Sequence, residues 1–238
     1  MKPKNTFCNS ETRKLPRTKV INEEVLPRIH EASMKLLEET GIVFEHDEAL
    51  EIFKQHGAKV DGKTVFISRK MAEAAMKQAP STYLHRGRND DQSVTIGDGM
   101  APHPNVGCVF IEEMGAERRR GLLADYANIQ IISQASQYCK LTGASPVAPD
   151  DVPPSERALY MLYETIKHTD KPLIGSCVDA KKAKESLEMV EMVFGADYMR
   201  DNYCVGVSTN PLSPFKYATE TLDSIIEYAK KRQPVYIL

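Results

Sequence analysis

The sequence lacks most of the features that place a protein by inspection. Net charge is nearly missing: 31 Lys and Arg stand against 33 Asp and Glu in 238 residues, a formal charge of -2. Nucleic-acid-binding domains usually carry a basic excess, and the longest basic cluster, Arg118-Arg119-Arg120, is too short to supply one. No nucleic-acid partner is expected. No apolar run reaches the ~18 residues of a transmembrane helix, and the polar first 20 residues hold no apolar stretch of a signal peptide. The expectation is a cytoplasmic protein with no membrane partner. Cysteine is sparse: Cys8, Cys108, Cys139, Cys177 and Cys204 are odd in number and form no CxxC pair, as in a reducing compartment. Cys177 and Cys204 sit in short apolar runs and read as buried, inert thiols. Neither finger-like ligand spacing nor HExxH occurs, so no metal site is expected. Without GxGxxG, or GxxxxGK followed by Ser or Thr, dinucleotide and P-loop binding have no support.

What remains is ordinary globular composition, 42% apolar and 27% charged. Residues 1–20 read as a polar arm. From 21 to 115 the pattern is one of helices with short antiparallel strands. Asn22 caps a helix with the apolar stripe Val25, Ile29, Ala32 and Leu36, closed by Gly41. Asp47 opens a second helix that ends at Gly57, and Ser68 caps a third, closed by Pro80. Strands are expected over 63–67, 82–85, 93–96 and 106–112.

From 116 to 238 the texture changes, and strand and helix alternate. Helices are expected over 122–138, 155–168, 181–194 and 219–231. Short apolar strands lead into Gly143-Ala144-Ser145 and run over 172–178, 203–209 and 234–238. Nearly all-apolar strands joined by helical crossovers mean a parallel sheet buried on both faces. Four such strands admit a small doubly wound sheet, or the first half of a (β/α)8 barrel that needs ~250 residues in full. The missing glycine fingerprint and the apolar end at Val235-Tyr236-Ile237-Leu238 favour the half-barrel. The expected fold class is α/β, an N-terminal α+β segment followed by the first half of a (β/α)8 TIM barrel.

In either architecture ligands meet the carboxyl ends of the parallel strands. Those ends read Ser145-Pro146, Ser176-Cys177 and Ser208-Thr209-Asn210-Pro211. Small neutral groups of this kind can orient and hydrogen-bond a ligand but cannot supply general acid-base catalysis. The same residue types also make plain strand-to-helix turns. Tyr160, Met161 and Tyr163 follow helical spacing and read as core rather than as a cation-binding box.

Several segments resemble the trimethylamine methyltransferase family of corrinoid-dependent methyltransferases. They are IHEASMKLLEETGIVFEHDEAL (29–50), GAKVDGKTVFISRKMAEAAMKQAP (57–80), HRGRNDDQSVTIGDG (85–99), LADYANIQIIS (123–133), SPVAPDDVPPSERALYMLYETIKHTDKPLIGS (145–176) and STNPLSPF (208–215). They follow the family's order and cover nearly the whole chain. The resemblance implies a (β/α)8 barrel behind an N-terminal helical and β segment. It implies methyl transfer from a methylated amine, trimethylamine or a quaternary amine such as glycine betaine, to the cobalt of a separate corrinoid protein. The corrinoid (cobalamin) would be carried by that partner and not bound by this chain. An amine is a poor leaving group, so the nucleophile must be strong, as cobalt(I) is. The protein then holds the methyl group in line, excludes water and receives the partner.

The resemblance places the catalytic residues beyond residue 238, including the pyrrolysine of the trimethylamine branch. Within the chain, Asn210 in STNPLSP is the first candidate for orienting substrate, with Ser208 beside it and Ser176 in KPLIGS next. The loop at 100–107 departs from the glycine-rich form of many members; its His103 and Asn105 either line a pocket or belong to a looser turn. Two other readings stand: a non-catalytic half-barrel that assembles with a second chain, and a barrel enzyme for an anionic ligand. Unpaired strand edges make a homo-oligomer expected.

Overall fold

The computed structural model describes residues 20–143 and 145–237. The arm expected over 1–20 lies outside these residues except for Val20. The chain begins with α1 Val25–Lys35, a π-helical turn Leu36–Thr40, β1 Ile42–Phe44, α2 Asp47–Gln55, β2 Lys59–Asp61, β3 Thr64–Phe66 and α3 Arg69–Gln78. Next come β4 Tyr83–His85, β5 Val94–Ile96, β6 Phe110–Ile111 and β7 Arg119–Arg120. Then follow α4 Leu123–Ala135, α5 Arg157–His168, β8 Leu173–Ile174, α6 Ala180–Phe194 and α7 Ala196–Asp201. The last elements are β9 Val205–Thr209, β10 Lys216–Tyr217, α8 Thr219–Lys230 and β11 Val235–Ile237. The protein is mixed α/β with several small sheets. Among the described residues no helix is long and apolar enough to cross a membrane.

Two compact units are present. One holds the residues up to Ser81 together with Pro211–Leu222; the other holds Thr82–Asn210 with Asp223–Leu238. The segments expected at 21–115 and 116–238 were drawn on strand–helix alternation, and their boundary coincides with neither of these cuts.

In the first unit the helix boundaries follow from local chemistry. The π-helical turn after α1 closes on Gly41, whose amide bonds the Leu36 carbonyl at φ 75°. A side chain at Gly41 is excluded twice over, by that left-handed backbone and by the Thr64 methyl group, 2.7 Å from where its Cβ would stand. α2 is capped by His46, whose Nδ1 accepts from the Ala49 amide, and Asp47 and Glu48 face the helix dipole in its first turn. Ser68 caps α3 by accepting from the Met71 amide. The sheet runs β10-β1-β3-β2, with β1, β3 and β2 antiparallel and β10 parallel to β1. Phe44 packs between Phe53, at 4.6 Å, and Tyr217, stacked at 5.3 Å. Lys216 bonds the Glu45 carboxylate at 2.9 Å and holds it below its ordinary pKa.

The second unit is built on the parallel sheet β8-β9-β11. β9 is buried on both faces, and Leu173, Leu187, Val190, Val205, Val207 and Tyr228 form its core with the flanking helices. β4 and β5 form one antiparallel hairpin and β6 and β7 another. Burying these five aliphatic side chains stabilises the unit by roughly 1.5–3 kcal/mol each.

Several expectations are corrected. Among the described residues the parallel sheet of the second unit has three strands and not four, because the segment leading into Gly143 forms no strand. The Thr142 amide bonds the Pro172 carbonyl, but the Ile174 amide, which would return a bond to the Thr142 carbonyl in a parallel ladder, goes to Thr142 Oγ1 instead. The strand expected over 106–112 shrinks to Phe110–Ile111. α4 stops at Ala135 rather than Tyr138, where the Lys171 ammonium takes the carbonyls of Ser133, Ser136 and Cys139. The strands β1, β2, β7 and β10 and the helix α7 were not expected. Cys204 is buried, whereas Cys177 is exposed. Tyr160 and Tyr163 lie 46% and 55% exposed on α5, whose buried residues are Leu162 and Thr165, so they are not core.

Candidate functional site

The three parallel strands end side by side, and their register ranks the residues found there. β8 and β9 pair Leu173 with Val205 and Ile174 with Gly206. The Gly175 amide continues the ladder to the Gly206 carbonyl at 2.8 Å, which brings Ser176 level with Ser208. β11 pairs Tyr236 with Ser208 and Ile237 with Thr209. Directly registered residues of parallel strands project to the same face. Ser176, Ser208 and Tyr236 therefore share one face of this sheet near its carboxyl edge.

The candidate residues differ in how much of their bonding capacity is spent. Ser176 is buried, and its Oγ accepts from the Val178 amide at 3.3 Å, which leaves the hydroxyl proton to donate. Ser208 is half-buried within β9, and Asn210 is exposed immediately after it. His103 and Asn105 are exposed on the loop before β6. Lys140 and Leu141 donate backbone hydrogen bonds to the Pro102 carbonyl, and the Gly107 amide bonds the Ser145 carbonyl. The loop is thus tied to the segment that leads into Ser145. His103 Nδ1 stands 2.6 Å from the Pro104 carbonyl, which only accepts, so Nδ1 is the donor of this bond. Asn105 donates to the Cys108 sulfur at 3.5 Å. No hydrogen bond joins His103 or Asn105 to Ser176 or Ser208. The structure gathers the strand-end serines and, apart from them, the loop pair.

Sequence reasoning missed the tyrosines behind these serines. Tyr236 Oη receives a hydrogen bond from Tyr83 Oη at 2.6 Å and lies 2.9 Å from His85 Nδ1, to which it donates its own proton. His85 is fully buried, and that burial lowers its pKa to about 4 from the ordinary 6.5, so it is the neutral acceptor. Tyr203 packs edge-on against Tyr83 at 5.1 Å. On the other side of the sheet Tyr228 of α8 fills the notch left by Gly175, where a Cβ would fall 1.9 Å from its hydroxyl. Burial pushes the phenols of Tyr228 and Tyr236 upward, so both are protonated donors. The available signal was a glycine inside each apolar strand, which marks a close approach.

An open cavity of 560 Å³ also lies in this unit, lined by Gly87, Arg88, Asn89, Asp90, Val193, Phe194 and Tyr198. It sits where α6 and α7 lead into the amino-terminal end of β9, and no candidate residue lines it. Among the described residues no three His, Cys, Asp or Glu side chains gather as a metal-holding set. Neutral hydroxyls and amides at strand ends can therefore bind and orient a small polar or cationic molecule, but supply no acid or base of their own.

Residues 2–238 match the family described as trimethylamine methyltransferase (MTTB). The chain belongs to this family. It is 36% identical over 225 residues to the glycine betaine methyltransferase of Desulfitobacterium hafniense (strain Y51), covering 94% of this chain and 47% of that protein. It is 31% identical over 222 residues to a trimethylamine methyltransferase of Desulfitobacterium hafniense (strain DSM 10664 / DCB-2), covering 91% of this chain and 45% of the relative. The proline betaine:corrinoid methyltransferase of Eubacterium limosum is 27% identical over 232 residues, 92% of this chain and 47% of the relative. The chain thus spans about half the length of these relatives. Family membership accounts for the order of the resembling segments from IHEASMKLLEETG to STNPLSPF.

Proposed function

We propose that this chain forms part of a methyltransferase that moves a methyl group from a methylated amine, either trimethylamine or a quaternary amine such as glycine betaine, to the cobalt of a separate corrinoid protein. The observation that carries this reading is the family match over residues 2–238, joined to 36% identity with a glycine betaine methyltransferase. The second unit is read as the opening strands of a (β/α)8 barrel. Support comes from parallel strands β8, β9 and β11 lying beside one another in chain order, with helices between them. A polar arm at 1–20, a segment at 21–115 and barrel units over 116–238 remain the proposed domain plan. The enzyme is read as cytoplasmic and homo-oligomeric.

The division of labour follows from the residues. A methylated amine leaves poorly, so the reaction needs a very strong nucleophile, which a cobalt(I) corrinoid carried by the partner supplies. The strand ends offer no imidazole or thiolate set suited to holding cobalt, but they do fit a small organic cation. Ser176 and Ser208 turn neutral hydroxyl groups toward the methylated ammonium and orient it, Asn210 fixes its position at the carboxyl edge, and His103 with Asn105 borders the site from the loop tied to Ser145. Holding the methyl group in line and excluding water are the terms these residues contribute. The remaining chemistry is assigned to the part of the relatives that this chain does not match.

The test is a substrate panel on the full-length protein with reduced corrinoid acceptor. Glycine betaine, proline betaine, carnitine and trimethylamine are each supplied, and the demethylated amine is quantified by NMR. Demethylation of at least one is the expected result. No demethylated product from any of the four would sink the reading.

A further inference from the structure

Gly206 occupies the middle of β9, where a side chain would ordinarily strengthen a strand. Its vacant Cβ position lies 2.3 Å from Tyr236 Cε2 and 3.0 Å from Cζ and from Oη, so the Tyr236 ring lies across Gly206 in van der Waals contact with its backbone. Register puts Tyr236 beside Ser208 on the same face of the sheet, with Ser176 one strand further on. The ring is half-buried, and its hydroxyl is tethered by Tyr83 at 2.6 Å and His85 at 2.9 Å. The hydroxyl's partner His85 bridges Tyr203, so the ring runs from its backbone level with Ser208 toward the amino end of β9, an oriented aromatic surface below the two small hydroxyls.

We propose that Tyr236 is the aromatic floor on which the methylated ammonium group of the substrate rests, below the hydroxyls of Ser208 and Ser176. This rests on the reading of the chain as part of an amine methyltransferase, and it names a cation-binding residue for that same site. A methylated ammonium has no N–H to satisfy, or a single one, so hydrogen-bond acceptors recognise it poorly and a π face recognises it well. The tether fixes the ring before the ligand arrives, which removes an ordering cost from binding. His85, which accepts the hydrogen bond of the Tyr236 hydroxyl, is buried and neutral, so it sets no positive charge against the incoming cation. The rings weighed from the sequence, Tyr160 and Tyr163, lie on α5, where neither registers with the strand ends.

The experiment compares glycine betaine with 3,3-dimethylbutanoate, which has the same shape and carboxylate but a carbon in place of the charged nitrogen. Binding of each to the full-length protein is measured by calorimetry for wild type, Tyr236→Phe and Tyr236→Leu. Wild type and Tyr236→Phe are expected to favour glycine betaine by about 2- to 30-fold. Tyr236→Leu is expected to bring the ratio close to one. A ring with only a structural role would weaken both ligands equally, so an unchanged ratio in Tyr236→Leu overturns the proposal. Magnetisation transfer from the ligand N-methyl protons to the Tyr236 ring of the wild type decides the matter should the leucine variant fail to fold. Trimethylammonium serves as the probe in that measurement should glycine betaine not bind. Transfer is expected, and its absence overturns the assignment. A wild type that demethylates amines while showing no Tyr236 dependence defeats this inference alone, whereas a wild type that binds no methylated amine defeats the proposed function with it.

Discussion

Lys171 offers a demanding test of the physical account of the second unit. It is 3% exposed, and its ammonium donates to the Ser133 carbonyl and, at 2.8 Å each, to those of Ser136 and Cys139. These carbonyls sit in the last turn of α4 and just beyond it, where a helix leaves acceptors unsatisfied and carries partial negative charge. Replacing Lys171 by methionine keeps an unbranched side chain one atom shorter and removes the charge and all three donors. Each hydrogen bond to a charged group is worth roughly 1.5–3 kcal/mol, against which stands the cost of desolvating the ammonium. A net loss of about 3 kcal/mol follows, equivalent to a fall of about 6–12 °C in Tm for a chain of this size. Burial lowers the Lys171 pKa below its ordinary 10.5. Between that lowered value and the unfolded one the unfolded chain binds more protons, so stability rises with pH across this window in wild type. The rise is absent in Lys171→Met. Chemical denaturation read by circular dichroism from neutral pH to alkaline pH measures both effects. A variant within 0.5 kcal/mol (about 1 °C) of wild type would refute the reasoning.

Three further outcomes are expected. His85, held near pH 4 by burial against an ordinary 6.5, is protonated more readily in the unfolded chain. Stability present above the unfolded pKa is therefore lost as pH falls from about 6.5 toward 4, by a total of about 3 kcal/mol; acid denaturation of His85→Phe should show a shallower limb. Gly206→Ala places a methyl group 2.3 Å from the Tyr236 ring and should cost about 1–3 kcal/mol, measured by urea midpoint, with an unshifted midpoint as the contrary result. Asn210→Ala in the full-length protein should lower kcat/KM for the methylated amine by about tenfold with little change in Tm, as expected for one lost orienting hydrogen bond; unaltered steady-state kinetics would remove Asn210 from the site.

The elements that could be read in advance are those whose limits are set by short-range chemistry. The cap at Ser68, the acidic first turn of α2 and the close at Gly41 need only their own neighbours. β9 and β11 were legible for a related reason, since an all-apolar run between two helices has few other places to go. Elements that depend on distant partners were not legible. β10 pairs in parallel with β1 across more than 170 residues, Val43 with Lys216, and nothing in Lys216-Tyr217 announces it. The missing strand before Gly143 turns on the Thr142 side chain, whose Oγ1 takes the Ile174 amide 32 residues away.

The site shows the same division. Residue type and strand order led to Ser176, Ser208 and Asn210, and the register then brought the two serines to one face. His103 and Asn105 came from an unusual loop, and the structure ties that loop to Ser145 without joining it to the serines. Tyr236 was concealed because it belongs to an apolar strand and looks like core. Only a glycine two residues before its registered partner, and a histidine some 150 residues away, show what its ring and hydroxyl are doing.

The most direct measurement of the central claim is the visible spectrum of a cobalt(I) corrinoid protein mixed with the full-length enzyme and a methylated amine. The account predicts loss of the cobalt(I) band and growth of a methyl-cobalt band, with one demethylated amine formed per cobalt consumed. A cobalt(I) spectrum that persists with glycine betaine and trimethylamine alike would contradict it.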